Sequence, residues 1–181
     1  MIKKAFTPLE KRGFLTGFTL IEMLMTVALF SVLMIASVYM FRAALLAWLS
    51  GEARSGADIT LDAGMWKIAG DLRPASAVQS SNDEIRFTRD GTNYYIYYFY
   101  NAGDSYPVAF TQSSYQVRKG ALTGGIGGTF TYGSGTVILT DVLPPPASDL
   151  SLTSNVVTIN LSVKRGSETV RSKTEVIPRN L

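Results

Sequence analysis

"GFTLIEMLMTVALFSVLMIASVYMF", Gly17 to Phe41, decides the fold. From Phe18 to Phe41 the run is apolar for 24 residues and carries one charge, Glu22. As a helix rising about 1.5 Å per residue it would span roughly 36 Å, enough to cross a hydrocarbon core of about 30 Å. A charge inside a bilayer costs about 3 kcal/mol even on lenient insertion scales. Glu22 therefore needs a partner.

The residues before this run set its orientation. Lys3, Lys4, Lys11 and Arg12 face one acid, Glu10, so the net charge of +3 lies wholly within residues 1–17. By the positive-inside rule that end stays cytoplasmic and the C-terminal part is exported. The rest of the chain holds 13 basic and 13 acidic residues, so charge gives no argument for a nucleic-acid partner. The chain contains neither cysteine nor histidine. Disulfides, thiolate metal sites and Ser-His-Asp catalysis are excluded within it. Scattered carboxylates such as Asp83, Glu84, Asp90 and Asp104 lack a calcium-loop spacing, so neither metal nor cofactor is expected.

An ordinary secretory signal is cut after its apolar region. Here the punctuation comes first, with Gly13 and Gly17 interrupting the basic leader and hydrophobicity starting abruptly at Phe18. A cut after Gly17 would leave the apolar helix on the mature protein. It would also create a new amine on Phe18, four residues before Glu22.

"KRGFLTGFTLIEML", residues 11–24, resembles the class III signal peptides of type IV pilins and type II secretion pseudopilins. The family motif is a glycine, a hydrophobic residue that is usually phenylalanine, and then "TLIE". Gly17 through Glu22 match it without a gap. The resemblance implies cleavage between Gly17 and Phe18 by a prepilin peptidase and N-methylation of Phe18. It further implies that Glu22 neutralises the N-terminal amine of a neighbouring subunit during filament assembly. Two opposite charges in a low-dielectric helix bundle offset part of their shared desolvation cost. Many major pilins carry a helix-kinking proline in the apolar segment, but here no proline lies between Pro8 and Pro74. That departure leans toward a minor pilin or minor pseudopilin.

Beyond the membrane run, "FRAALLAWLS" keeps apolar residues at Leu45, Trp48 and Leu49. Gly51 and Gly56 then weaken the pattern, each costing about 1 kcal/mol relative to alanine. Leu61, Met65, Ile68 and Leu72 restore it with the spacing of an amphipathic helix. The expectation is one helix from Phe18 to about Asp71, closed before Pro74, with the glycine pair tolerated at its surface.

After Pro74 the period becomes two. "EIRFT" and the aromatic "YYIYYFY" flank a hairpin turn at Asp90-Gly91. "SYQVRKG" and "GTVILTDVL" are further strands. "NVVTINLSVKRGSETVRSKTEVIP" reads as a final hairpin, with Val157, Ile159, Leu161 and Val163 on one face and the turn at Arg165-Gly166. Six of the seven residues Tyr94–Tyr100 are aromatic, a composition read as sheet packing in preference to a sugar or base platform. "LTGGIGGTFTYGSG" reads as a flexible loop and lacks the context of a phosphate cradle. The strand layout also resembles, with softer motifs, the J-class minor pseudopilin and its type IV pilus counterpart.

The expected fold is α+β, a long N-terminal helix packed on an antiparallel sheet. The expected division is a cleaved leader at 1–17, a transmembrane and filament-core helix at 18–41, an amphipathic continuation at 42–74 and an exported β domain at 75–181. The expected role is structural and not enzymatic, as a subunit of a pilus or pseudopilus in a tip or priming complex. Its partners would be other pilins or pseudopilins, a prepilin peptidase and an inner-membrane assembly platform. It would wait in the bacterial inner membrane with its C-terminal domain exported. One rival is an exported ligand-binding or enzymatic domain on a plain single-pass anchor, which an intact leader would mark. Another is an adhesin or DNA-uptake pilin using the aromatic strand or the glycine loop.

Overall fold

The structure is a computed structural model and describes residues 18–180. The chain divides into two compact units, residues 1–46 and 47–181. A single helix, α1 (Leu20–Leu72), runs from the first into the second.

In the first unit the helix is apolar all round, and every described residue is exposed. Three of its hydroxyls bond the helix backbone: Thr26 donates to Met23 O (2.9 Å), Ser31 to Ala28 O (2.7 Å) and Ser37 to Leu33 O (2.8 Å). Such back-bonding lets polar side chains sit in an apolar medium without orphaned groups. This is the one helix among the described residues that is long and apolar enough to cross a membrane.

In the second unit, Ala57, Leu61, Met65, Ile68 and Leu72 bury one stripe of α1. The 4, 3, 4 spacing of the last four places them on one helical face. Gly51 and Gly56 do not interrupt the helix. At Gly56 a Cβ would lie 2.7 Å from Arg165 Nη1, the far end of a flexible side chain that can move aside. Gly64 has a firmer reason: its Cβ would lie 2.4 Å from Leu139 Cγ, so glycine lets a strand press directly on the helix.

Eight strands follow: β1 (Ala77–Ser81), β2 (Glu84–Thr88), β3 (Tyr94–Tyr100), β4 (Tyr115–Leu122), β5 (Thr136–Val142), β6 (Asp149–Thr153), β7 (Val156–Arg165) and β8 (Glu168–Val176). All pairings are antiparallel, in the order β1-β2-β3-β4-β5-β7-β6, with β8 on the other edge of β7. The sheet curls until its end strands meet, where Ser80 Oγ donates to Leu150 O at 3.3 Å. This is the α+β arrangement expected, with the helix stripe and the inner sheet face sharing one core.

The hairpin at Asp90-Gly91 forms as expected. Asp90 Oδ1 accepts from the backbone of Thr92 (2.9 Å) and Asn93 (2.8 Å), and Gly91 takes φ 71°. The final hairpin pairs Arg165 with Glu168, and Val157, Ile159, Leu161 and Val163 are all buried. Strands β1 and β6 were not expected.

The aromatic strand is structural on both faces. Tyr97 and Phe99 face the helix, with Phe87 stacked on Tyr97 at 5.5 Å. Ile96 and Tyr98 face outward, where Phe130 and Tyr132 cover them. Phe130 and Tyr132 come from the glycine-rich segment expected to be a flexible loop. That segment is packed: Tyr98 lies 4.7 Å from Phe130 and 5.7 Å from Tyr132, and Arg86 donates to Gly128 O at 2.9 Å. Its glycines permit the close approach, since a Cβ on Gly135 would lie 2.2 Å from Lys119 O.

Candidate functional site at the start of the helix

Residues 18–22 hold the described part of the candidate processing and assembly site. Phe18 lies just before α1 and is 75% exposed. Gly17 lies outside the described residues. The helix begins at Leu20, so Thr19 is the N-cap and Glu22 the third helical residue.

That spacing forms a capping box. The Glu22 carboxylate, through Oε2, accepts from Thr19 N at 3.1 Å and from Thr19 Oγ1 at 3.0 Å. The backbone N–H of Glu22 donates to Thr19 Oγ1 at 3.4 Å. Two donors left free at the helix start are satisfied reciprocally, and an acid sits at the positive end of the helix dipole. Sequence reasoning assigned Glu22 to a neighbour's amine and missed this local bond. The Thr-x-x-Glu spacing was the available signal. In the uncleaved chain, where Phe18 has no free amine, Glu22 bonds Thr19. The carboxylate thus has a local partner within its own chain.

Residues 16–38 match the family profile described as the prokaryotic N-terminal methylation motif. The chain carries the class III signal of the type IV pilins and pseudopilins. No curated protein and no solved structure matches it. The motif implies processing by a prepilin peptidase and assembly with other pilins. Together with the exposed apolar helix, it fits inner-membrane anchoring with an exported C-terminal domain.

Several carboxylates elsewhere in this pilin-like chain have structural partners. Glu84 is only 2% exposed and pairs with Arg86 Nε at 2.8 Å, and Tyr106 donates to it at 3.0 Å. Asp104 accepts from Thr111 and Tyr115. Burial, followed by that bond to Asp104, pushes the Tyr115 phenol up to about 12. Asp83 is raised by burial and by the facing carboxylate of Asp149. Among the described residues no group of three or more His, Cys, Asp or Glu is placed to hold a metal.

Asp71 ties the end of α1 to the sheet. It accepts from Tyr97 OH at 2.5 Å and Lys119 Nζ at 2.5 Å, and pairs with Arg89. Burial opposes its ionisation. Hydrogen bonds from Lys119 and Tyr97 and the charges of Lys119 and Arg89 outweigh burial and hold the carboxyl below its ordinary value.

Proposed function

We propose that the chain is a minor subunit of a type IV pilus or type II secretion pseudopilus, acting in a tip or priming complex. The observation that carries this reading is the methylation motif over residues 16–38, set on an apolar helix whose second half is the core of a sheet domain. Its function is structural. The leader, residues 1–17, is removed between Gly17 and Phe18, and Phe18 is N-methylated. Residues 18–41 anchor the subunit and then enter the filament core, 42–74 continue the helix, and 75–181 form the exported domain.

Glu22 is the assembly residue. In the waiting subunit its carboxylate caps its own helix through Thr19. In the filament it meets the Phe18 amine of a neighbour, an ion pair worth more than the local hydrogen bonds in a low-dielectric bundle. A second feature supports packing among helices. Ile59, Ala63, Trp66 and Gly70 form a stripe on the helix face opposite the core, and Trp66 is 80% exposed. The absence of proline between Pro8 and Pro74 supports the minor subclass.

The test is processing in a host that carries the machinery. Mass spectrometry of the mature protein should find an N-terminus at Phe18, carrying one methyl group. G17L, bulky at the cut, should leave the leader attached. A mature terminus beyond Phe41, or an intact leader on the wild-type chain, overturns the reading and favours a plain anchor or a secretory signal.

A further inference from the structure

A second interaction surface lies in the exported sheet, and its argument does not use the pilin reading. Beyond the seam where β1 and β6 meet, two strand edges are uncovered among the described residues. One is the outer edge of β8, which pairs only with β7. It displays Arg171, Lys173 and Glu175 outward, and charges of this kind blunt an edge against other chains. The other belongs to β5. It pairs with β4 along its length but with β7 only through Val142 and Val163.

Asp141 takes a left-handed backbone, φ 59°, and the β4–β5 register shifts nearby. In the antiparallel register set by Val142 and Val163, β7 ends at Arg165, opposite Thr140, so Thr136 to Leu139 run past its end. Thr136 to Asp141 are left with six residues of unpaired edge, roughly 20 Å at about 3.3 Å per residue. Unlike β8, the segment "TVILT" carries no charge. Val137 is 39% exposed. It is an unguarded edge of high β propensity.

The gap is a cleft of about 360 Å³. Residues Val137–Asp141 form one wall, Val163 and Arg165 the other, and α1 supplies a floor that includes Gly64 and Lys67. Leu139 seated on Gly64 holds β5 against that floor. Lys67 and Arg165 line the cleft, and neither is in an ion pair among the described residues. Asp141 is the one acid in the lining. The cleft is therefore apolar along its wall and carries an excess of positive charge.

We propose that this edge receives an extended segment of another protein chain, which adds as a strand to β5. Main-chain hydrogen bonds supply the pairing, as in other strand-addition complexes. The segment is β-branched or apolar and carries one carboxylate, which meets Lys67 and Arg165.

The probe is a fluorescein-labelled hexapeptide, acetyl-Thr-Val-Thr-Val-Thr-Glu-amide, titrated against the full chain in detergent micelles. Fluorescence anisotropy should saturate. A peptide with proline at its fourth position, which cannot complete the pairing, should bind at least tenfold more weakly. So should one with lysine in place of glutamate. V137K, which adds a guarding charge, and R165E, which reverses the cleft's charge, should each weaken binding at least tenfold while leaving the melting temperature unchanged. If V137K lowers the melting temperature, R165E carries the comparison, because its side chain is exposed. The chain has no cysteine of its own, so V137C provides a single thiol. It should couple to the peptide bearing an activated disulfide. No binding at millimolar peptide, equal binding of all three peptides, or V137C chains coupling to each other overturns the proposal; the last result would make a second copy the occupant.

Discussion

The capping role of Glu22 and its proposed assembly role separate by substitution. Glutamine at the third helical position also completes a capping box, so E22Q keeps the helix start while removing the charge. The E22Q chain is expected to insert and to be processed, yet to be recovered with sheared filaments or cross-linked subunits at a small fraction of the wild-type level. E22A should in addition weaken the helix start, and T19A, which keeps the charge, should cost about 1 kcal/mol of helix stability while still assembling. Normal incorporation of E22Q would remove the charge from assembly. Asp71 makes a different prediction. Its folded carboxyl ionises more readily than in the free chain, so its contribution is full above the ordinary aspartate value of about 4 and is lost as pH falls below it. D71N should cost about 2 kcal/mol at pH 7, by loss of charged hydrogen bonds. The difference from wild type should shrink as pH falls below about 4 in thermal melts; a gap independent of pH would mean that shape, not charge, holds the clamp. Both residues differ in legibility. The role implied for Glu22 rested on a contiguous motif, whereas the partners of Asp71 lie 18, 26 and 48 residues away and no local spacing announces them.

At the scale of elements, the buried stripe of α1 was readable because Leu61, Met65, Ile68 and Leu72 keep helical spacing. Its opposite stripe was not, because Ile59, Ala63, Trp66 and Gly70 look unremarkable until the core is known to lie elsewhere. W66A tests that second stripe. A side chain this exposed contributes within about 0.5 kcal/mol, so the melting temperature should hold while incorporation into filaments falls. Equal incorporation would leave Trp66 without an assembly role. Strands β1 and β6 escaped notice because "AVQSS" and "DLSLT" are short and polar. Their signal was in the turns: Asn82-Asp83 and Ser154-Asn155 all take positive φ, between 49° and 66°, as two-residue hairpin turns require. The glycine loop escaped for another reason. Its composition reports freedom of the backbone, but Phe130 and Tyr132 between the glycines are anchors, and only the sheet's outer face shows what they cover.

For the whole exported unit, the α+β class was legible because the change of period at Pro74 is sharp, yet the sequence does not show how far the sheet depends on the helix. The structure puts Leu61, Met65, Ile68 and Leu72 in the same core as Phe87, Tyr97, Phe99 and Val117. Each such side chain contributes about 1.5–3 kcal/mol by burial. Four of them therefore supply about 6–12 kcal/mol, comparable to the roughly 5–15 kcal/mol that holds a whole domain together. Removing the membrane part alone should thus be harmless, whereas removing the helix entirely should not. A fragment of residues 47–181 is expected to melt cooperatively, with mixed helix and strand by circular dichroism. A fragment of residues 77–181 is expected to retain β-rich circular dichroism at most, to bind a hydrophobic dye through its uncovered sheet face, and to lose the cooperative transition. Adding a peptide of residues 52–74 should restore that transition, since the missing stripe would be supplied in trans. Equal melting of the two fragments would show that the sheet closes its own core. The helix would then be a handle attached to the exported unit, not the element on which it folds.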